Sequence, residues 1–241
     1  EGTVNRNSGA ESTIHGLLTA LALDANPGVK RQALSLTEVA DREGLTWTEA
    51  EDAAATTGEV STPESWTGES SWSGDKLTLS RGDTAVFDVG RADTDRWIEP
   101  VVWSEIGERT SSTWTSGRST LGMLRLTGPA QGISPTPGAM HPHTLSKAMP
   151  GSRDEIRVAS TRGDLQLDGI LVRPFVSRLV LEGDRGARTE LVHSAARSPQ
   201  KVTVGAGRID VYDERGREVR VKKDRSGALI LPAGGFAIVE R

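Results

Sequence analysis

The densest acidic cluster in the chain is Thr48-Glu49-Ala50-Glu51-Asp52, at the opening of a stretch rich in short apolar runs. Successive side chains of a strand alternate between its faces, so a strand here would set Glu49 and Glu51 side by side. Two carboxylates held that close repel unless a cation or an arginine sits between them. Calcium suits such a pair, since it takes hard oxygen ligands from carboxylates and backbone carbonyls. A solvated edge strand with both carboxylates in water accounts for the same pattern. Other chemistries find less in the sequence. His141-Pro142-His143 has a proline between its imidazoles and no nearby carboxylate, which fits a solvated loop better than a metal site. His193 lies next to Ser194, but adjacency is not a nucleophile–base geometry, and no G-x-S-x-G elbow occurs. Neither G-x-x-x-x-G-K-[ST] nor a strand-following G-x-G-x-x-G is present, so nucleotide phosphates lack their cradle. With no cysteine there are no disulfides, no zinc ribbon and no thiol catalysis.

Composition narrows the classes further. The 241 residues carry 29 Lys and Arg against 33 Asp and Glu, a formal charge of −4, and the pI is about 5.7. Without a basic block, a dedicated nucleic-acid binder is disfavoured, because its affinity would rest on clustered cations facing phosphates. No apolar run approaches the ~18 residues that a membrane-spanning helix needs. Neither end carries a signal or transit pattern, and the opening residue is Glu1, which suggests a trimmed product.

Three unequal parts must position these residues. Residues 1–45 read as a helical segment. Ser8-Gly9-Ala10-Glu11 is a capping box, and Ile14, Leu17, Leu18, Leu21 and Ala22 then recur at helical spacing until Asn26-Pro27 stops the run. Such an apolar stripe needs a partner. We expect it either to be the remnant of a helical domain lying upstream or to pack on the β region that follows. Residues 46–175 read as a β-sandwich, with apolar or alternating runs at Leu77-Thr78-Leu79, Ala85 to Val89, Ile98 to Trp103, Leu121 to Leu126, Ile156 to Val158 and Leu165 to Val172. Gln131 to Gly151, with four prolines, reads as a long loop. Residues 176–241 read as a small C-terminal β domain whose strands are separated by turns such as Asp213-Glu214-Arg215-Gly216.

The E-A-E opening, the Ser71-Trp72-Ser73-Gly74 turn before an apolar strand, and Leu167-Asp168-Gly169-Ile170 in a closing strand together resemble carbohydrate-binding modules of families 35 and 6. That resemblance covers about residues 46–174. It implies a mainly β fold, an antiparallel jelly-roll sandwich of the galactose-binding type, with Glu49, Glu51 and Asp168 as ligands of a structural calcium. It also implies a polysaccharide or glycan as partner and a secreted location. The sequence departs from the family in its Gln131 to Gly151 loop and in having Tyr212 as its single tyrosine, outside the region. A sugar site needs an exposed aromatic face. All six tryptophans fall within the sandwich region, and Trp66 and Trp72, in a Ser, Thr, Gly and Glu-rich stretch, are the platform candidates; Trp103, in the apolar run Val101-Val102-Trp103, reads as core.

The polar N-terminal run Asn5 to Thr13 in turn resembles the closing helix of (α/α)-barrel glycosidase domains. Carried over, that makes Asn7 and Glu11 candidates for lining an active site, since glycosidases work with paired carboxylates. The capping box explains Glu11 without catalysis, and one carboxylate is not a pair. Two functions follow as expectations. The first is non-catalytic polysaccharide binding by a calcium-stabilised sandwich in a secreted carbohydrate-active protein. The second makes the chain the C-terminal portion of a glycoside hydrolase, its β domains bracing an upstream helical catalytic domain.

Overall fold

A computed structural model describes residues 10–63, 71–128 and 138–241, apart from the side chains of residues 10–12 and 185. Two helices come first, α1 (Ala10–Ala25) and α2 (Pro27–Ser35), and then strand β1 (Leu36–Glu43). The central region contains β2 (Thr46–Glu49), β3 (Ala55–Thr56), β4 (Glu59–Ser61), β5 (Lys76–Leu79), β6 (Thr84–Asp88), β7 (Arg96–Glu105), β8 (Arg109–Ser116), β9 (Ser119–Thr127), β10 (Gly138–Pro142), β11 (Glu155–Arg162) and β12 (Leu165–Pro174). The C-terminal region adds β13 (Val176–Gly183), β14 (Arg188–Ser194), β15 (Gln200–Val202), β16 (Arg208–Tyr212), β17 (Glu218–Val219), β18 (Leu229–Leu231) and β19 (Phe236–Glu240).

The central strands form an antiparallel sandwich, as the alternating runs predict. One sheet has the order β10-β7-β12-β5-β4, with β2 also paired to β12; the other has the order β3-β6-β11-β8-β9. Inward residues of the two sheets make the core, in which Leu77, Phe87, Ile98, Trp114, Ile156 and Ile170 are fully buried. Strand β8 was not among the sequence-predicted strands, because its inward residues are Thr110, Ser112, Trp114 and Ser116 rather than aliphatic. Their hydroxyls are satisfied locally: the Trp114 indole N–H donates to Ser112 Oγ at 2.9 Å, and Ser116 Oγ donates to the Glu155 carbonyl at 2.7 Å. Burying a hydroxyl is tolerable on those terms.

Two expectations need correction. The presumed loop from Gln131 to Gly151 contains strand β10, hydrogen-bonded along β7 from Gly138–Glu105 to Pro142–Val101. Pro142 does not prevent this, since among the described residues β10 is an edge strand with one side free of ladder bonds. The presumed helical segment 1–45 ends at Ser35, and β1 then joins the C-terminal sheet, whose order is β1-β13-β14-β19-β16-β17. Leu36 to Glu43 is only weakly periodic as a helix, and pairing with β13 satisfies its backbone instead. The stripe Ile14, Leu17, Leu18 and Leu21 on α1 is 55–64% exposed, so it does not pack on the β region.

A compact joint ties the C-terminal sheet to the sandwich. The Trp97 indole N–H donates to the Ala195 carbonyl at 2.9 Å, its ring centroid lies 5.2 Å from that of Phe175, and the Arg197 guanidinium sits 4.7 Å from the indole centroid.

Gly169 sets how closely β2 approaches. A Cβ at this position would stand 2.2 Å from Trp47 Cζ2 and 2.7 Å from the Thr48 carbonyl oxygen. Gly169→Ala must therefore push β2 away from β12. We expect it to destabilise the fold by roughly 1–3 kcal/mol, the usual cost of overpacking, read as a lower urea midpoint in tryptophan fluorescence.

Candidate functional site

The site forms where β12 changes neighbours. Leu165 to Leu167 pair with β5, Gly169 to Val172 pair with β2, and the register against β7 slips between Leu167 and Gly169. Asp168 occupies that slip and is 4% exposed. Its carbonyl accepts from the Ala50 N–H at 3.2 Å, so the end of β2 is tied directly to it. Glu49 is the last residue of β2, and Glu51 lies beyond it in a turn rather than two positions along a strand. The two glutamates therefore converge on Asp168 through chain reversal, not through the strand alternation expected from E-A-E.

The segment Ser73-Gly74-Asp75 folds onto the three carboxylates and supplies donors. Asp168 Oδ1 accepts from the Ser73 N–H at 2.7 Å, Glu49 Oε1 from Ser73 Oγ at 2.8 Å, and Glu51 Oε1 from the Asp75 N–H at 2.8 Å. Gly74 has φ +71, and a Cβ on it would lie 2.2 Å from Glu51 Oε1, so only glycine lets that carboxylate in. The second oxygens, Glu49 Oε2 and Glu51 Oε2, are buried with no hydrogen-bond partner among the described residues. Buried charged oxygens without a partner are costly and rare. The Asp168 carboxyl is pushed up to about 6, first by burial and then by the neighbouring charges of Glu49 and Glu51, with the Ser73 N–H opposing.

A hard cation fits this donor set, because it would take the two orphaned oxygens and relieve the mutual repulsion of the carboxylates.

The same short segment carries the aromatic surface. Trp72, half-buried, lies with its ring centroid 6.1 Å from that of Trp103, the planes tilted by 44°. Trp103 is 6% exposed, but it belongs to the outward face of its sheet and not to the cluster between the sheets; Trp72 is what covers it. Its core assignment from the sequence is therefore half right, in burial but not in location. The apolar run Val101-Val102-Trp103 hid this, since the outward residues of β7 are also large or apolar. Lys76 Nζ lies 5.8 Å from the Trp72 ring and donates to Gln166 Oε1 at 3.0 Å, while Trp103 Nε1–H donates to Glu105 Oε1 at 3.2 Å. Sequence reasoning missed Lys76, Gln166 and Glu105. The available signal was parity, since Lys76 alternates with the inward Leu77 and Leu79 of β5.

Trp66, Asn7 and the side chain of Glu11 lie outside the described residues. His141 and His143 bracket the end of β10; burial and the neighbouring His141 hold His143 below its ordinary value.

No protein-family model matches the chain, and no curated protein does. Among solved structures, the chain is similar to the C-terminal family 6 carbohydrate-binding module of LamC, a marine laminarinase from Zobellia galactanivorans, at 10% identity and a TM-score of 0.42, over 54% of this chain and 98% of that one. It is similar to a carbohydrate-binding module of Cellvibrio mixtus lichenase 5A, in complex with cellotriose, at 12% identity and a TM-score of 0.43, over 54% and 98%. A third similar structure is the catalytic unit of an α-1,3-glucanase from Streptomyces thermodiastaticus, at 17% identity and a TM-score of 0.42, over 71% and 29%.

The raised Asp168 carboxyl gives a signed expectation. The folded chain keeps this proton up to about pH 6, whereas an unfolded aspartate releases it near its ordinary value of 3.8. In chelator, stability is therefore highest below pH 4 as far as this group is concerned and falls as pH rises to 6, by about 3 kcal/mol in all. Asp168→Asn, which stays neutral, should flatten that slope in urea titrations at stepped pH.

Proposed function

We propose that the chain is a non-catalytic glycan-binding protein whose sandwich displays Trp72 as a sugar platform and is braced by calcium. The observation that carries this reading is the pairing of a half-buried Trp72 with orphaned buried carboxylate oxygens on the two sides of one five-residue turn, 71–75. An indole that keeps one face accessible can take the C–H face of a pyranose, while neighbouring polar groups meet its hydroxyls. Glu49, Glu51 and Asp168 would hold the calcium, whose charge would offset theirs. A calcium-braced glycan binder works where free calcium is plentiful, which is outside the cell, so the proposal includes secretion. Trp66 stays in it as a second platform candidate.

A second reading draws on the exposed stripe of α1. Ile14, Leu17, Leu18 and Leu21 form a helix face with no cover within the described chain. An upstream helical domain in a glycoside hydrolase would cover it, with Asn7 and Glu11 at the domain's active site and the β regions as a brace. In a protein carrying that domain, Glu11→Gln would abolish glycan cleavage; unchanged cleavage removes this reading.

Two results test the main proposal. Retardation in affinity gels against a polysaccharide panel should identify a bound polymer, and Trp72→Ala should weaken that binding about ten-fold or more while leaving the circular dichroism unchanged. Removing calcium with a chelator should lower the melting temperature by roughly 5–10 °C relative to calcium at a hundred times its Kd. An unchanged melting temperature would discard the calcium.

A further inference from the structure

Two apolar surfaces of the chain lie open, and each has the shape to cover the other. The first is α1. Of Thr13 to Ala25 only Leu23 is even half-buried, although the only charged residues of the helix, Glu11 and Asp24, stand near its ends. Ile14, Leu17, Leu18 and Leu21 are 55–64% exposed along one stripe. A helix this apolar is ordinarily buried, and one of 16 residues draws little stability from propensity alone.

The second surface is the outer face of the C-terminal sheet. Val192, Val211 and Ala237 turn to the core with Val202, Leu229 and Leu231, so alternation turns Leu191 and Ile238 the other way. Leu179, Leu191 and Ile238 stand opposite one another across β13, β14 and β19, and the stacked rings of Phe236 and Tyr212, 4.7 Å apart, continue the same face. Toward β1 the face is hollowed into a groove of about 740 Å3, whose walls include Val39, Leu45, Leu179, Leu191, His193 and Phe236. Helix α2 reaches only the other end of this face, where Gln32 Nε2–H donates to Thr189 Oγ1 at 2.9 Å; no residue of either helix lines the groove.

Folding α1 back into the groove of its own chain would break its joint to α2. At that joint the Asn26 N–H donates to the Leu23 carbonyl at 3.1 Å and Asn26 Nδ2 to the Ala22 carbonyl at 2.8 Å. The Lys30 N–H donates to the Asn26 carbonyl at 3.0 Å, and Lys30 Nζ pairs with Asp24 at 2.5 Å. With α2 tied to the sheet and α1 fixed on α2, the stripe and the groove of one chain stay apart. Their dimensions nevertheless match: the stripe runs about 10 Å along α1, and the groove spans about 14 Å across four strands.

We propose that two copies of the chain pair about a two-fold axis, each laying the α1 stripe into the groove of the other. Such an exchange is self-complementary, as a closed dimer requires. Each stripe residue leaves roughly 100 Å2 uncovered, so burying both stripes and matching parts of both grooves removes about 1,600 Å2 from water, the size of a stable interface. The proposal is independent of the glycan-binding reading, because both surfaces lie off the sandwich. It gives the α1 stripe to a second copy rather than to an upstream domain.

The test is the mass of the whole chain in solution. Sedimentation velocity at concentrations up to about 100 μM, above the Kd that an interface of this size gives, should show a species of twice the 25.7 kDa chain. Leu17→Glu, at an exposed position, should return the mass to that of a single chain while the circular dichroism of the sheets stays unchanged. Because the chain has no cysteine, a bis-maleimide can locate the contact. An equimolar mixture of Leu18→Cys and Val39→Cys chains should give cross-linked pairs containing one of each. A single-chain mass at every concentration would overturn the proposal and leave both surfaces to an upstream domain or another protein. A dimer that survives Leu17→Glu would put its interface elsewhere and overturn it equally. Linkage within single chains of the double variant, with none in the mixture, would show α1 filling its own groove and would also overturn it.

Discussion

Three carboxylates crowd one point of the sandwich with no ion pair to a cationic side chain among the described residues, and the surrounding donors answer that repulsion. Desolvation and mutual charge both favour a proton on Asp168, yet its immediate partner is a backbone N–H, which favours the ion. The segment 73–75 brings three donors to three carboxylate oxygens and stops there, leaving Glu49 Oε2 and Glu51 Oε2 enclosed and unbonded. A chain that folds a loop over acidic groups rather than opening them to water has tied the loop's conformation to their charge. Because Trp72 is the residue immediately before that segment, its placement over Trp103 inherits the same dependence.

Much of the fold was legible because alternation is a strong signal where inward residues are aliphatic. Leu77 and Leu79, Ala85 and Phe87, and Ile156 and Val158 alternate with polar residues and are buried in the core, as their period demands. Where the inward residues are hydroxylic the signal vanishes. Arg109 to Ser116 is therefore missing from the strands named from sequence, although it is an interior strand of its sheet with Trp114 at the core. The N-terminal boundary was lost for a different reason. Nothing within Leu36 to Glu43 shows that its backbone will find an edge at β13, a partner far along the chain.

The candidate site was legible in residue type but not in mechanism of assembly. Glu49, Glu51 and Asp168 do meet, yet Glu51 arrives by a turn, and the register slip at Asp168 is a tertiary event that no local pattern announces. The tryptophans divide by what lies over them. Trp114 is enclosed between the sheets, Trp97 is capped by Phe175 and Arg197 at the joint, and Trp103 is shielded by Trp72. Hydropathy alone treats these three as alike, since it registers burial and not the partner that provides it.

The distribution of exposed apolar side chains separates the two halves of the molecule. Of the large hydrophobics most open to solvent, Ile14, Leu17, Leu18, Leu21, Val29, Leu34, Val39 and Leu45 all precede the sandwich, whereas the sandwich itself exposes few. The central sheets therefore satisfy their own apolar surface, while the helices and β1 do not. The apolar side chains left open to solvent therefore gather on the N-terminal elements, whereas the sandwich turns most of its own inward. The Trp97 joint makes the two regions mechanically continuous, because β12 runs directly through Phe175 into β13, and β13 is the strand that β1 pairs with.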